Sequence, residues 1–351
     1  MIQAHFKKYT LDFKNPSGTS RGVLTQKETW FLILKQNNQV GIGECSLLKG
    51  LSVDDVPDYE SKLQWVCHHI HLGKEELWNQ LMAFPSIQFG VEMAFLSLQS
   101  KMPFELFPSE FTSHQVGIPI NGLVWMGSPA FMQEQIQDKI NQGFTCVKMK
   151  IGAIHFKEEL ALLQSIRKQF SSKEIELRVD ANGAFALTDV TEKLKVLADL
   201  QIHSIEQPIA VRQYTEMANL CKKTPIPIAL DEELIGIFDE HDKLRLLEQI
   251  QPQYIILKPS LVGGFRGTQE WIDIAESLGI QWWITSALES NIGLNAIAQW
   301  TFLQNNPLPQ GLGTGGLYTN NFECPLEVTH GELHYRKAIE WTTHLLPFSI
   351  H

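Results

Sequence analysis

No C-x-x-C pair occurs in the sequence, and its five cysteines (Cys45, Cys67, Cys146, Cys221 and Cys324) are scattered and odd in number. That excludes a thiolate zinc ribbon or a disulfide framework and points to reduced, packed thiols in the cytoplasm. There is no polybasic tract, and the net charge is −10, so neither a nucleic acid nor an anionic membrane is expected as a partner. No apolar run approaches the length of a membrane span, and the first residues, Met1 to Phe13, alternate in polarity instead of forming the apolar core of a signal peptide. No G-x-G-x-x-G follows a first strand, and the glycine-rich stretch from Gly311 to Gly316 lacks G-K-[ST]. A doubly wound dinucleotide fold and a P-loop are set aside on those grounds. His68, His69 and His71 read as the solvated face of a helix.

What is present is 351 residues with 44% hydrophobic content, enough to bury a large core. Residues 1–114 read as an α+β capping domain. A β-like run over Phe6–Leu11 leads to a turn-rich segment, Asn15–Ser20. A second run over Glu28–Lys35 returns through Asn37-Asn38 into Val40–Cys45, and helical patterns follow at 59–72, 75–82 and 86–100. Residues 115–322 read as repeated βα units. Short apolar runs end near Asn121, Lys150, Asp180, Glu206, Asp231, Lys258, Thr285 and Gly311, about 25 to 30 residues apart, with a helix-length segment in most of the intervals. The architecture expected is α/β: a (β/α)-barrel, a modified TIM barrel, carrying an N-terminal α+β cap. A strand-like run at 326–335 lies in a tail, 323–351, expected to pack back on the cap. Of Trp282 and Trp283 in strand seven, one should face the barrel and the other the helices.

The charged residues fall at the ends of the strand-like runs: CVKMK, ELRVDAN, HSIEQP, IALDEE and YIILKPS. In a parallel barrel all those ends share one rim, where catalytic groups of this fold gather. Asp180, Glu206 and Asp231 on adjacent ends would repel one another. A hard divalent cation offsets that repulsion, which predicts Mg²⁺, with Mn²⁺ as a substitute. Lys148 and Lys150, two apart on one strand, point to one face. Each should disfavour protonation of the other, lowering a lysine from about 10.4 toward about 7–8, where it serves as a general base. Lys258 follows an apolar run on a strand opposite them. Together these groups suit proton removal next to a carboxylate on a small-molecule acid, with the cation stabilising the enediolate.

The ordered set K-x-K, D-A-N, E-Q-P, D-E and K-P, spread over the chain, resembles the enolase superfamily in its muconate lactonizing enzyme branch. The handling of α-protons by lysine with Mg²⁺ is characteristic of that superfamily. The resemblance implies that Asp180, Glu206 and Asp231 hold the metal and that Lys150 and Lys258 form the acid/base pair. It also implies that Lys148 tunes Lys150, and that Asn182 and Glu232 support the ligands from behind, Glu232 being the rival of Asp231 for the third ligand position. The strand-seven segment Thr285–Gly293 looks like that of the o-succinylbenzoate synthase group. This implies a syn dehydration, with Ser286, Glu289, Ser290 and Asn291 near the substrate and Arg21, on a lid over 16–21, meeting a substrate carboxylate. Dipeptide epimerases share the metal cage and the lysines but usually carry an Asp-x-Asp after strand eight, and residues Leu308–Tyr318 contain no acid. N-acylamino acid racemisation stays open as an alternative activity, and a catalytically silent anion-binding relative as a non-enzyme alternative.

Overall fold

The computed structural model describes residues 1–19, 22–102 and 104–341. Strands β1 (Gln3–Thr19), β2 (Gly22–Gln36) and β3 (Gln39–Cys45) form an antiparallel sheet in that order. The continuous apolar run of β2 is explained by burial on both faces. Trp30, Leu32 and Leu34 pack on the cap helices, while Phe31 and Ile33 join the main core. The turn expected over Asn15–Ser20 is, through Thr19, strand: pairing resumes at Ser17 opposite Leu24 after a register shift that begins at Asp12. Pro16 sits in that irregular part, where no ladder N–H is required of it. Ser20 and Arg21 lie outside the described residues. Helices α1 (Tyr59–His68), α2 (Gly73–Asn79) and α3 (Pro85–Gln99) cover one face. The helix expected over 59–72 breaks at His69, and a short 3₁₀ turn follows. β3 and α3 approach closely enough that a Cβ on Gly43 would lie 1.8 Å from the carbonyl oxygen of Gly90.

After β4 (Ile118–Pro119) come β5 (Gly122–Val124), α4 (Pro129–Asn141), β6 (Cys146–Lys150), α5 (Phe156–Gln169), β7 (Glu176–Asp180) and α6 (Val190–Ala198). The series continues with β8 (Ser204–Glu206), α7 (Tyr214–Lys223), β9 (Ile228–Leu230), α8 (Glu240–Ile250) and β10 (Tyr254–Leu257). It ends with α9 (Pro259–Val262), α10 (Gly264–Ser277), β11 (Gln281–Ile284) and α11 (Asn291–Leu303). β5 to β11 form one parallel sheet in chain order. Two bridges close it into a barrel, Thr285 with Gly311 and Ile120 with Gln310, both parallel. The eighth strand is therefore only Gln310 and Gly311, and among the described residues no helix follows it. Among the described residues no helix is long and apolar enough to cross a membrane.

The chain instead returns to the cap, where the Asn320 side chain accepts from the Asp12 N–H and donates to the Thr10 carbonyl, each at 2.8 Å. β12 (Leu326–Thr329) and β13 (Glu332–Tyr335) then form a hairpin beside β4. Tyr335 meets Phe111 edge-on and Trp341 stacks on Phe104. The described part of the tail thus touches β4, just before the first barrel strand, as well as Phe104 and Phe111.

Period-two alternation puts Val147, Met149, Leu177 and Val179 outward under the helices, fully buried. Lys148, Lys150, Arg178 and Asp180, with the opposite parity, face the barrel axis. Trp283 packs inside the barrel on Ala229 and Ile256, whereas Trp282 joins the core outside it.

Candidate active site

Register sets the site. Lys150 pairs with Asp180, and Asp180 with Glu206, at the ends of β6, β7 and β8. Three functional groups from three strands therefore lie side by side in one layer. Asp231 and Lys258 each follow the last residue of their strands, β9 and β10. Asp180, Glu206 and Asp231 are all buried, at 0%, 2% and 2% exposure, so their charge has to be met by protein or by a bound cation.

The lysines meet it here. The Lys148 ammonium lies 2.6 Å from Glu206 Oε2 and 3.4 Å from Asp180 Oδ2, so one cation already serves two of the acids. Lys150 Nζ donates to Asp180 Oδ2 at 2.7 Å and to Asn182 Oδ1 at 2.8 Å. Lys258 Nζ donates to Asp231 Oδ2. Asn182 is held at φ 43°, a left-handed conformation that asparagine tolerates. Its Nδ2 donates to Glu232 Oε1 at 2.9 Å, so Glu232 is joined to Lys150 through Asn182.

The electrostatics correct one expectation. Burial alone would lower the Lys148 pKa, but Glu206, Asp180 and Asp231 outweigh it and raise it well above the ordinary lysine value. Lys258 is raised on the same balance, chiefly by Asp231 against burial. The expectation that neighbouring lysines suppress each other's protonation overlooked how many carboxylates surround Lys148. Burial would raise Asp180, but Lys150 and Lys148 hold it below the usual carboxylate range. Glu206, buried first and then crowded by Asp180, is pushed up to about 8 despite Lys148.

Part of this cluster opens into a cavity of about 170 Å³ between barrel mouth and cap. Lys148, Lys150, Asp180, Asn182, Glu232 and Lys258 line its floor. Leu24, Leu48, Leu51, Leu123, Trp125 and Leu288 make an apolar wall, and Lys49 stands with them on the cap side. Apart from Leu288, which lies in the segment Thr285–Gly293, none of these wall residues stood out in the sequence, where they read as ordinary turn and strand residues.

The strand-seven residues divide. Ser286 lines the cavity, but its hydroxyl is fully engaged, donating to Glu289 Oε2 at 2.7 Å and accepting from Thr314 Oγ1 at 2.8 Å and Leu288 N at 3.0 Å. Glu289, Ser290 and Asn291 are turned away from the cavity, contrary to expectation. Glu289 Oε1 accepts from Ser260 Oγ; Ser290 N donates to Glu44 Oε1 at 2.9 Å; the Asn291 amide donates to the Phe322 carbonyl. Short polar side chains just before a helix cap it as readily as they meet a ligand, and Ser290 is the N-cap of α11.

Glu44, buried in the cap sheet, is the partner the sequence did not disclose. Its carboxylate accepts from Thr29 Oγ1 at 2.9 Å within the cap and from the Ser290 and Gly293 N–H groups of the barrel at 2.9 and 2.8 Å. A carboxylate at the N-terminus of α11 also faces the favourable end of the helix dipole. Glu44→Ala strips these buried donors of their acceptor and is expected to destabilise the protein by about 3 kcal/mol in urea denaturation. A loss below about 0.5 kcal/mol would mean that this contact does not hold the cap to the barrel.

Three buried carboxylates on neighbouring strand ends, with all-oxygen donors and with Glu206 shifted up by its neighbours, fit a hard divalent cation. Among the described residues no three acidic, His or Cys side chains are gathered as a finished ion site, because each acid turns an oxygen toward a lysine.

Residues 131–339 match the enolase C-terminal domain-like family, and the chain belongs to that family. Its first 98 residues match a further domain, the MenC N-terminal domain. The o-succinylbenzoate synthase of Desulfotalea psychrophila is 46% identical to it, over 95% of this chain and 98% of that protein. The crystal structure of MenC from the same organism superposes with a TM-score of 0.84 at 43% identity, covering 95% of this chain and 99% of that one. The muconate lactonizing enzyme of Pseudomonas fluorescens shares the fold, with a TM-score of 0.81 at 21% identity over 99% and 97% of the two chains.

Proposed function

We propose that the chain is an o-succinylbenzoate synthase, a hydro-lyase of menaquinone biosynthesis. It converts 2-succinyl-6-hydroxy-2,4-cyclohexadiene-1-carboxylate to o-succinylbenzoate and water. The observation that carries this is the meeting of Lys150 and Lys258, from β6 and β10, in one cavity on either side of the buried acids. The identity to the Desulfotalea enzyme along nearly the whole chain supports the particular substrate.

In this reading Asp180, Glu206 and Asp231 hold Mg²⁺. When bound there, the ion supplies Lewis-acid stabilisation of the charge that develops on the substrate carboxylate. Asp231 is favoured over Glu232 because it is buried and acts on both Lys148 and Glu206, whereas Glu232 is half-buried and does neither. Lys150, as the free amine, takes the ring proton next to the carboxylate. The same nitrogen, now an ammonium, returns that proton to the departing hydroxyl on the same face. Water leaves and the ring becomes aromatic. Lys258 stays cationic, as its carboxylate neighbours favour, and stabilises the enediolate from the other face, with a cation–π contact to the ring. Lys148 holds Glu206 and Asp180 in place. The apolar wall covers the ring and excludes water.

The protein is further read as a cytoplasmic enzyme without nucleic-acid or membrane partners. Its five buried free cysteines suit a reducing compartment, and its net charge suits neither polyanion. The test is a dehydration assay with the cyclohexadiene substrate and Mg²⁺, run beside racemisation of an N-succinylamino acid. Dehydration should dominate; racemisation alone would assign the site to the alternative activity. A dipeptide epimerase is disfavoured because the segment Leu308–Tyr318, whose Gly311, Gly313 and Thr314 line the cavity, contains no acid to hold a substrate ammonium.

A further inference from the structure

Four lysines line the cavity, and their circumstances differ. Lys148, Lys150 and Lys258, at the strand ends, are each committed to a buried carboxylate. Lys49 is on the cap, in the loop after β3. It is exposed, and among the described residues no carboxylate pairs with it. The hydrocarbon of Leu24, Leu48, Leu51 and Trp125 lines the same cavity. The cavity therefore joins committed charges from the barrel strand ends, an apolar lining, and one uncommitted cation from the cap.

A ligand matching these three kinds of lining carries one anionic group for the floor, an apolar body for the hydrocarbon and a second anionic group for the cap lysine. Resting on the proposed reaction, we propose that Lys49 receives the distal carboxylate of the succinyl tail and is a specificity-determining residue of this enzyme. The ring carboxylate then goes to the floor, and the ring and the methylene chain lie along the leucines and Trp125. Lys49 touches no reacting atom. It selects the tail and sets the register of the ring over Lys150. A lysine suits this position because its flexible stem follows a mobile chain while the ammonium remains near water.

The test compares two ligands that differ only at the tail end. The product, o-succinylbenzoate, carries the distal carboxylate; 2-butanoylbenzoate has a methyl group there. Binding of each to the full-length Mg²⁺-loaded protein is measured by calorimetry for the native chain, Lys49→Met, Lys49→Arg and Arg21→Gln. The native chain should prefer o-succinylbenzoate by about tenfold, as for one charge-assisted hydrogen bond. Lys49→Met should erase that preference without changing the affinity for 2-butanoylbenzoate, and Lys49→Arg should keep most of it. In turnover, Lys49→Met should raise KM more than it lowers kcat.

A preference that survives in Lys49→Met, or that disappears in Arg21→Gln alone, would overturn the assignment. Equal weakening of both ligands would also overturn it, since that reports damage to the pocket and no contact with the tail. If the native chain bound neither ligand, the proposed reaction would fall and this assignment with it.

Discussion

Lys150→Ala is expected to lower kcat for dehydration by about 10³-fold or more, the scale of a general base that also serves as the acid. Both proton transfers are assigned to one nitrogen, so no remaining group inherits either. Lys258 lies on the far side of the acids and is paired with Asp231. Lys148 is held by Glu206 and Asp180 and is shifted toward its charged form by them, so it is a poor substitute base. The fold should survive, because Asp180 keeps Lys148 as a partner and Asn182 keeps Glu232. Lys150→Arg should not restore activity, since a guanidinium does not give up its proton in a protein. The measurement is single-turnover dehydration together with exchange of the substrate α-proton in D₂O. A Lys150→Ala enzyme within about tenfold of the native rate would remove Lys150 from the chemistry.

The second large effect concerns the cation. Chelation with EDTA is expected to abolish dehydration, and Mg²⁺ or Mn²⁺ to restore it. An independent readout is stability: a ligand that binds the folded state alone stabilises it by about 2.7 kcal/mol at a concentration 100 times its Kd. The native melting temperature should therefore rise with Mg²⁺. In Glu206→Gln that rise should vanish along with activity. Glu206 is the sensitive ligand because it is buried and crowded by Asp180. Its loss removes a charge that the ion needs, and the amide keeps the shape. Lys150→Ala should retain the Mg²⁺-dependent rise, which separates the loss of the base from the loss of the metal. A Glu206→Gln protein stabilised by Mg²⁺ as strongly as the native chain would exclude Glu206 as a ligand.

Much of the floor of the site was legible because two regularities coincide there. Strand alternation fixes which side chains point inward, and the parallel barrel gathers the strand ends. K-x-K, D-A-N and E-Q-P therefore mark Lys148, Lys150, Asp180, Asn182 and Glu206 in the sequence itself, and register puts the three strands that carry them side by side. Arg178 obeys the same parity and was passed over. It lies inside the barrel, with Nε on Glu176 at 2.7 Å and its guanidinium 4.3 Å from the Trp283 ring. Parity was the available signal, and an arginine in mid-strand does not look like a strand end.

The walls were less legible. A leucine in a turn carries no mark of the cavity it will line, and Glu44 reaches residues 246 and 249 positions away along the chain. Ser290 and Asn291, which the resemblance implied as substrate contacts, bond within the protein instead, since hydroxyl and amide groups serve helix caps and ligands by the same hydrogen bonds. The recurrence of short apolar runs that end in polar or charged residues, about 25 to 30 positions apart with helix-length segments in most intervals, was enough to determine a barrel with acids and amines at one rim, since run length and spacing are local properties of the chain. The tertiary structure alone decided which ammonium neutralises which carboxylate, that two residues suffice to close the barrel, and that the cap supplies the wall and an uncommitted lysine. Those outcomes depend on distances between segments far apart in the chain, and no local periodicity encodes such distances.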